Sequence, residues 1–273
     1  MHRQTLIPVA SDAEQGFGCF YAGDNAELLA ELRRMVDGVG DGRGANGASD
    51  NNASDNGDAR NRHDRDNHGD GGHGDRGHHG HTGDRRVLYL WGEAGSGKTH
   101  LLNACCQAAL SAGASHAYLP VSGPAPCAAH IERIAAQSLV CVDDFQGAAG
   151  DADWQAALFD LYESLQARGG AKALVVAADR PPAALNLGLK DLESRLVSGG
   201  VFRAARLNDA GNMVALQARA RLRGFELPDA ALRFILAHYR RDSASLFALL
   251  DRIDAASLAE RRRITLPFIK SLL

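Results

Sequence analysis

An α/β fold with a parallel sheet, followed by a small all-α region, is what this 273-residue sequence predicts. Three observations carry the expectation. Short runs such as "VLYLW" (87–91), "LVCVDD" (139–144) and "ALVVAA" (173–178) are continuously rather than alternately apolar, which implies burial on both faces. These runs alternate with helical patterns, and strands joined through helices pair in parallel. From about residue 208 onward only helical periodicity remains.

Taken in order, Asp24 or Asn25 caps a first helix carrying Leu28, Leu29, Leu32, Met35 and Val36 on one stripe and ending near Gly38. Residues 38–84 then hold 13 glycines, six asparagines, six histidines, nine aspartates, five arginines and one branched aliphatic, Val39. Such a segment cannot bury enough surface to offset its ordering entropy and is predicted to be a disordered insertion. Its histidines are irregularly spaced, so a hydrophilic surface loop is the favoured reading over a metal site. Loop length is cheap, and the fold resumes beyond it.

The strand at 87–91 leads through a glycine turn into the helix "KTHLLNACCQAAL". The strand "HAYLPV", a helix over 128–137 and the strand at 139–144 follow. Asp151 or Asp153 caps the next helix, whose inner face carries Leu158, Phe159, Leu161, Tyr162 and Leu165. After the strand at 173–178, a short helix near 188–197 precedes a strand over 201–207. The helical remainder reads "DAGNMVALQARARLRG", "PDAALRFILAHYR", "SASLFALLDRIDAASLAE" and "LPFIKSLL". The chain thus divides into a terminal arm (1–10), an α/β region (11–207) with its insertion, and a helical region (208–273).

Composition narrows the function. The formal charge is −3, of which the insertion carries −4, leaving 25 basic and 24 acidic residues elsewhere. Near-neutrality argues against direct salt-driven binding to duplex DNA. The cysteines Cys19, Cys105, Cys106, Cys127 and Cys141 form no CxxC pair, which suits reduced, partly buried thiols in a cytoplasm. No apolar stretch approaches 18 residues and no signal-peptide core is present, so a soluble cytoplasmic protein without membrane attachment is expected.

"GEAGSGKT" (92–99) fits G-x-x-x-x-G-K-[ST] in the required context, after a strand and opening a helix. Gly92, Gly95 and Gly97 let the backbone wrap a phosphate, and the N–H groups around Ser96 offer it partial positive charge. Lys98 can reach outer phosphates, and the Thr99 hydroxyl can ligate Mg2+. Asp143, at the end of an apolar strand, can hold that magnesium, while Asp144 can orient a hydrolytic water. Asp179, in "AADRPP", either senses a γ-phosphate from the neighbouring strand end or simply forms a turn before Arg-Pro-Pro. Arg195, in "LESRLVSGG", is either a solvated charge or an arginine finger for a nucleotide on an adjacent subunit.

Together "LYLWGEAGSGKTHLLNA", "LVCVDDFQ", "VVAADRPPAALN" and "LESRLVSGGVF" resemble the AAA+ ATPases, and among them the initiator clade that contains DnaA. Without a DNA-binding helix-turn-helix or a large N-terminal domain, the chain is most similar to the Hda family, regulatory inactivators of DnaA. The resemblance covers nearly all of the chain outside the insertion. It implies an AAA+ P-loop domain with a helical lid, and ADP or ATP with Mg2+ as cofactors. It also implies a short N-terminal peptide, here Gln4, Leu6, Ile7 and Pro8, that docks in the groove of the DNA polymerase sliding clamp. Arg195 would then be the finger presented to ATP on DnaA, with Asp143, Asp144 and Asp179 in the magnesium, water and sensor positions. One departure stands out: Ala244 occupies the place of a second sensor arginine, with Arg240 or Arg241 on the preceding turn as alternatives, which speaks against vigorous hydrolysis by this chain.

The leading expectation is a negative regulator of replication initiation that stimulates hydrolysis of DnaA-bound ATP when a DNA-loaded clamp is present. The alternatives are a self-sufficient AAA+ loader or remodeller and a clamp-independent adaptor at an origin. Sequence-specific DNA contact is not expected, and self-association is left open.

Overall fold

In the computed structural model, residues 16–40, 86–121, 124–167, 172–240 and 242–273 are described. The arm at 1–10, most of the insertion and Arg241 therefore lie outside the described residues, together with the expectations placed on them.

The strands are β1 (Val87–Trp91), β2 (His116–Pro120), β3 (Leu139–Asp143), β4 (Ala173–Ala178) and β5 (Gly200–Arg203). They form a parallel sheet in the order β2-β3-β4-β1-β5, with Tyr89 opposite both Val176 and Val201. Continuous apolarity is explained by the two faces. Tyr89, Val140, Val142, Leu174 and Val176 share one core with Ile131, Ile134, Leu158, Leu161, Leu165 and Leu196. Leu88, Leu90, Cys141, Val175 and Ala177 share the other with Leu28, Leu32, Leu101, Leu102 and Cys105. Thus α3 (Ala128–Ala135), α4 (Ala152–Ala167) and α5 (Lys190–Ser198) cover one side, and α1 (Ala26–Gly40) and α2 (Lys98–Ser111) cover the other.

Strand β5 is shorter than the expected 201–207. Beyond Arg203 the backbone leaves the sheet, Ala204 donating to the Trp91 carbonyl at 2.7 Å. The side chain of Asn25 then clasps Ala205, accepting from its N–H at 2.7 Å and donating to its carbonyl at 3.0 Å. Asn25 is thus a buried tie across 180 residues rather than a helix cap, and residues Gly23–Asn25 form a 3-10 turn ahead of α1. That helix also continues past Gly38, because Val39 supplies one more buried apolar contact. Asp151 is the cap of α4, accepting from Asp153 and Trp154 N–H.

Helices α6 (Asp209–Leu222), α7 (Asp229–His238), α8 (Ser243–Glu260) and α9 (Leu266–Leu272) bury their own core of Leu216, Leu232, Ile235, Leu250, Ile253 and Phe268. Asn208, Asp242 and Thr265 accept from N–H groups in the first turns of α6, α8 and α9. Cys105, Cys106 and Cys141 are buried thiols, whereas Cys127 is exposed, contrary to the expected partial burial. None of the helices searched among the described residues is long and apolar enough to cross a membrane.

Candidate functional site

The loop 92–99 leaves β1, an interior strand paired with β4 on one side and β5 on the other. The Gly92 N–H donates to the Ala178 carbonyl, and a β-carbon there would sit 2.5 Å from the Ala204 oxygen, so only glycine fits. Gly95 and Gly97 have φ of +79° and +91°, the left-handed conformation that lets a loop turn its N–H groups toward an anion. Lys98, at the start of α2, is buried and donates its Nζ to the carbonyls of Gly92 at 2.7 Å and Glu93 at 3.1 Å. The buried Ser96 hydroxyl has no hydrogen-bond partner.

Asp143 is 2% exposed at the end of β3 and holds three hydrogen bonds. Its Oδ2 accepts from the Thr99 hydroxyl at 2.7 Å and the Tyr118 hydroxyl at 2.6 Å, and its Oδ1 accepts from the Asp144 N–H at 2.9 Å. Three donors thus satisfy both oxygens of this buried side chain. Burial and this bond to Asp143 push the Tyr118 phenol far above its ordinary range, which keeps it a donor. Asp144 is exposed in the left-handed conformation, φ 55°, tolerated by Asp and marking a turn under constraint.

Gln146 bridges two strand ends, donating to Asp144 Oδ1 at 3.0 Å and accepting from the Asp179 N–H at 3.1 Å. Asp179 is thereby brought beside Asp143 and Asp144, but its carboxylate is occupied by Arg180 through two 2.8 Å bonds. The Arg180 guanidinium holds the Asp179 carboxyl below its usual value, with a smaller contribution from Lys98. Asp179 thus sits at the strand end with both carboxylate oxygens bonded to Arg180.

Arg195 lies elsewhere, in the last turn of α5. Its guanidinium is 3.7 Å from Glu163 and 5.6 Å from the centre of the Tyr162 ring, both on α4. It remains half exposed and is not brought to Lys98 or Asp143 by any contact the structure shows.

Sequence reasoning missed Tyr118, Gln146 and an aromatic recess. Phe20, Tyr21, His100, Leu207, Ala215, Ser243 and Phe247 line the recess, beside Ser96 and Gly97 and between α2 and the lid. The Phe20 and His100 rings meet at 5.7 Å. Burial first, and then the charge of Arg219, lower the His100 pKa. The position of His100 directly after Thr99 was the one signal available for it.

These residues fit a nucleotide. The glycine cradle, the unpartnered Ser96 hydroxyl and Lys98 suit its phosphates, and Thr99 with Asp143 suits a hydrated Mg2+. The recess offers apolar and aromatic surface to a flat base.

Comparison with solved structures defines the class. Domain III of the Thermotoga maritima replication initiation protein DnaA aligns with a TM-score of 0.66 and 16% identity, over 96% of this chain and 96% of that one. AMPPCP-bound DnaA from Aquifex aeolicus aligns with a TM-score of 0.61 and 15% identity, over 92% of this chain and 68% of that one. The RuvB Holliday junction branch migration motor of Thermotoga maritima aligns less completely, with a TM-score of 0.52, 20% identity, and 68% and 60% of the two chains. The fold is the one these proteins share, a parallel sheet with a glycine-rich loop after β1, followed by a helical region. Residues 209–273 match the family model described as "Hda, lid domain". Residues 209–273 are thus similar to the Hda lid domain, and the fold as a whole is similar to that of DnaA domain III.

Proposed function

We propose that this chain binds an adenine nucleotide at 92–99, docks on the sliding clamp through Gln4, Leu6, Ile7 and Pro8, and lends Arg195 to the nucleotide on DnaA. It acts as a cytoplasmic negative regulator of replication initiation. One observation carries the reading: the finger candidate is half exposed on the α4–α5 face, while the chain's own phosphate loop already has a buried lysine. A cation serving its own site is expected to point into it, whereas one serving a partner must stay at the surface.

Bound ADP or ATP with Mg2+ would supply phosphate and metal charge at this loop. Lys98 would hold outer phosphate oxygens in place of its present carbonyl partners. Thr99 and Asp143 would hold the metal, with Tyr118 keeping Asp143 in place. On the partner's nucleotide, the Arg195 fork neutralises charge that develops as the terminal phosphoryl transfers to water. A short peptide of modest affinity on a DNA-loaded ring raises the local concentration of this contact.

The test is hydrolysis of DnaA-bound ATP with clamp loaded on DNA. The unmodified chain accelerates it, and both Arg195→Ala and Gln4→Ala remove the acceleration. Full activity without the clamp would overturn the clamp reading. A second reading, a self-sufficient ATPase remodeller, is favoured by the hydrogen-bonded group Asp143, Asp144, Gln146 and Asp179. It requires substantial turnover by the isolated chain, lost in Asp144→Ala.

A further inference from the structure

We propose that Arg206, on the segment joining β5 to the lid, is a phosphate-binding residue of the chain's own nucleotide site. The inference rests on the nucleotide reading above and adds a cation that sequence motifs do not point to.

The mouth of the 92–99 loop is not electrostatically simple. Glu93, within the loop, is exposed, and Asp242, the cap of α8, packs its β-carbon 3.3 Å from where a side chain at Gly95 would begin. Two carboxylates therefore stand at an entrance meant for an anion, and both oppose it. Arg206 is the counterweight. Its Nη1 is 3.3 Å from Glu93 Oε2, and its Nη2 is 3.7 Å from the β-carbon position of Gly95. Arg240, whose charge helps lower the Asp242 pKa, is the competing cation.

The backbone under Arg206 is fixed while its side chain is not. Asn25 clasps Ala205 on both polar groups, and Ala204 is bonded to Trp91 at the base of the loop. The guanidinium itself is nearly half exposed, and its one ion pair is long. A guanidinium has five N–H donors, and a single 3.3 Å contact leaves most of them unused. A nucleotide phosphate carries more charge than one carboxylate and accepts a fork bidentately, so it displaces Glu93 as the partner. Lys98 and Arg206 would then both hold the phosphates.

The experiment is titration of fluorescently labelled ADP into the full chain and its variants at constant Mg2+. Arg206→Gln weakens binding about tenfold, the loss expected for one charge-assisted contact. Arg206→Lys, which keeps the charge without the fork, stays within about threefold. Arg240→Gln, the competing assignment, loses less than Arg206→Gln does. Arg206→Gln binding within twofold of the unmodified chain, or a loss carried by Arg240→Gln instead, overturns the assignment. Should Arg206→Gln fail to fold, phenylglyoxal labelling of the unmutated chain decides: ADP protects Arg206 and adenosine does not, and equal labelling with and without ADP overturns it. Failure of the unmodified chain to bind ADP would instead sink the nucleotide reading itself.

Discussion

Lys98 and Arg195 are both cations assigned to phosphate, and their surroundings could hardly differ more. Lys98 is 8% exposed, with its ammonium on two carbonyls of its own loop. The Arg195 side chain is 51% exposed, resting on a tyrosine ring beside an equally exposed glutamate. The first is preorganised and gives up fixed partners to a ligand that enters its loop. The second has little to give up, and an exposed ion pair of this kind contributes at most about 1 kcal/mol. The contrast teaches how burial and hydrogen bonding separate a side chain fixed in a loop from one kept at the surface, which is what the proposed division between the chain's own site and a partner's requires.

The largest test removes the exposed member. Arg195→Ala is expected to cut stimulated hydrolysis on DnaA by about a thousandfold while changing folding stability by less than about 0.5 kcal/mol. Single-turnover hydrolysis and urea unfolding read the two effects, and a stability loss of comparable weight would break the comparison. The buried member comes next: Lys98→Ala weakens ADP binding about a hundredfold, close to 3 kcal/mol, by calorimetry. Tyr118→Phe sharpens the picture. It frees one bond on Asp143, so the Mg2+-dependent part of ADP affinity falls about tenfold and the Mg2+-free affinity stays constant.

The smallest effect is on pH. Burial and Arg219 lower the His100 pKa below 6.5, so the folded chain prefers the neutral ring. The unfolded chain takes up the proton first as pH falls. This contribution to stability is therefore complete above about 6.5 and is lost as acidity increases past the folded value. His100→Asn should flatten the fall in melting temperature between pH 7.5 and 5.

Much of this arrangement was legible in the residues. The apolar runs located β1, β3 and β4, since burial on both faces leaves no polar alternation, whereas the edge strands β2 and β5 alternate in burial and β5 ends earlier than expected. The glycine loop and the residues Lys98, Thr99 and Asp143 were legible because their chemistry is tied to spacing. Features made by distant partners were not. Nothing near Asn25 announces that it binds Ala205, and β5 stops at Arg203 partly for that reason. Tyr118 looked like another apolar strand residue, and only the neighbouring register of β2 and β3 turns its hydroxyl into a support for Asp143. Arg206 was read as part of a strand, and its departure from the sheet is what brings it to Glu93.

Strand β1 has a temporal consequence. It is bonded to β4 on one side and β5 on the other, with Val87 opposite Leu174 and Leu88 opposite Gly200. The frame beneath the glycine loop cannot close until a growing polypeptide has delivered residue 203. Contacts so far apart along the chain are slow to form. A nascent molecule therefore completes the frame under this loop only after β5 has left the ribosome, well after the loop itself has been made.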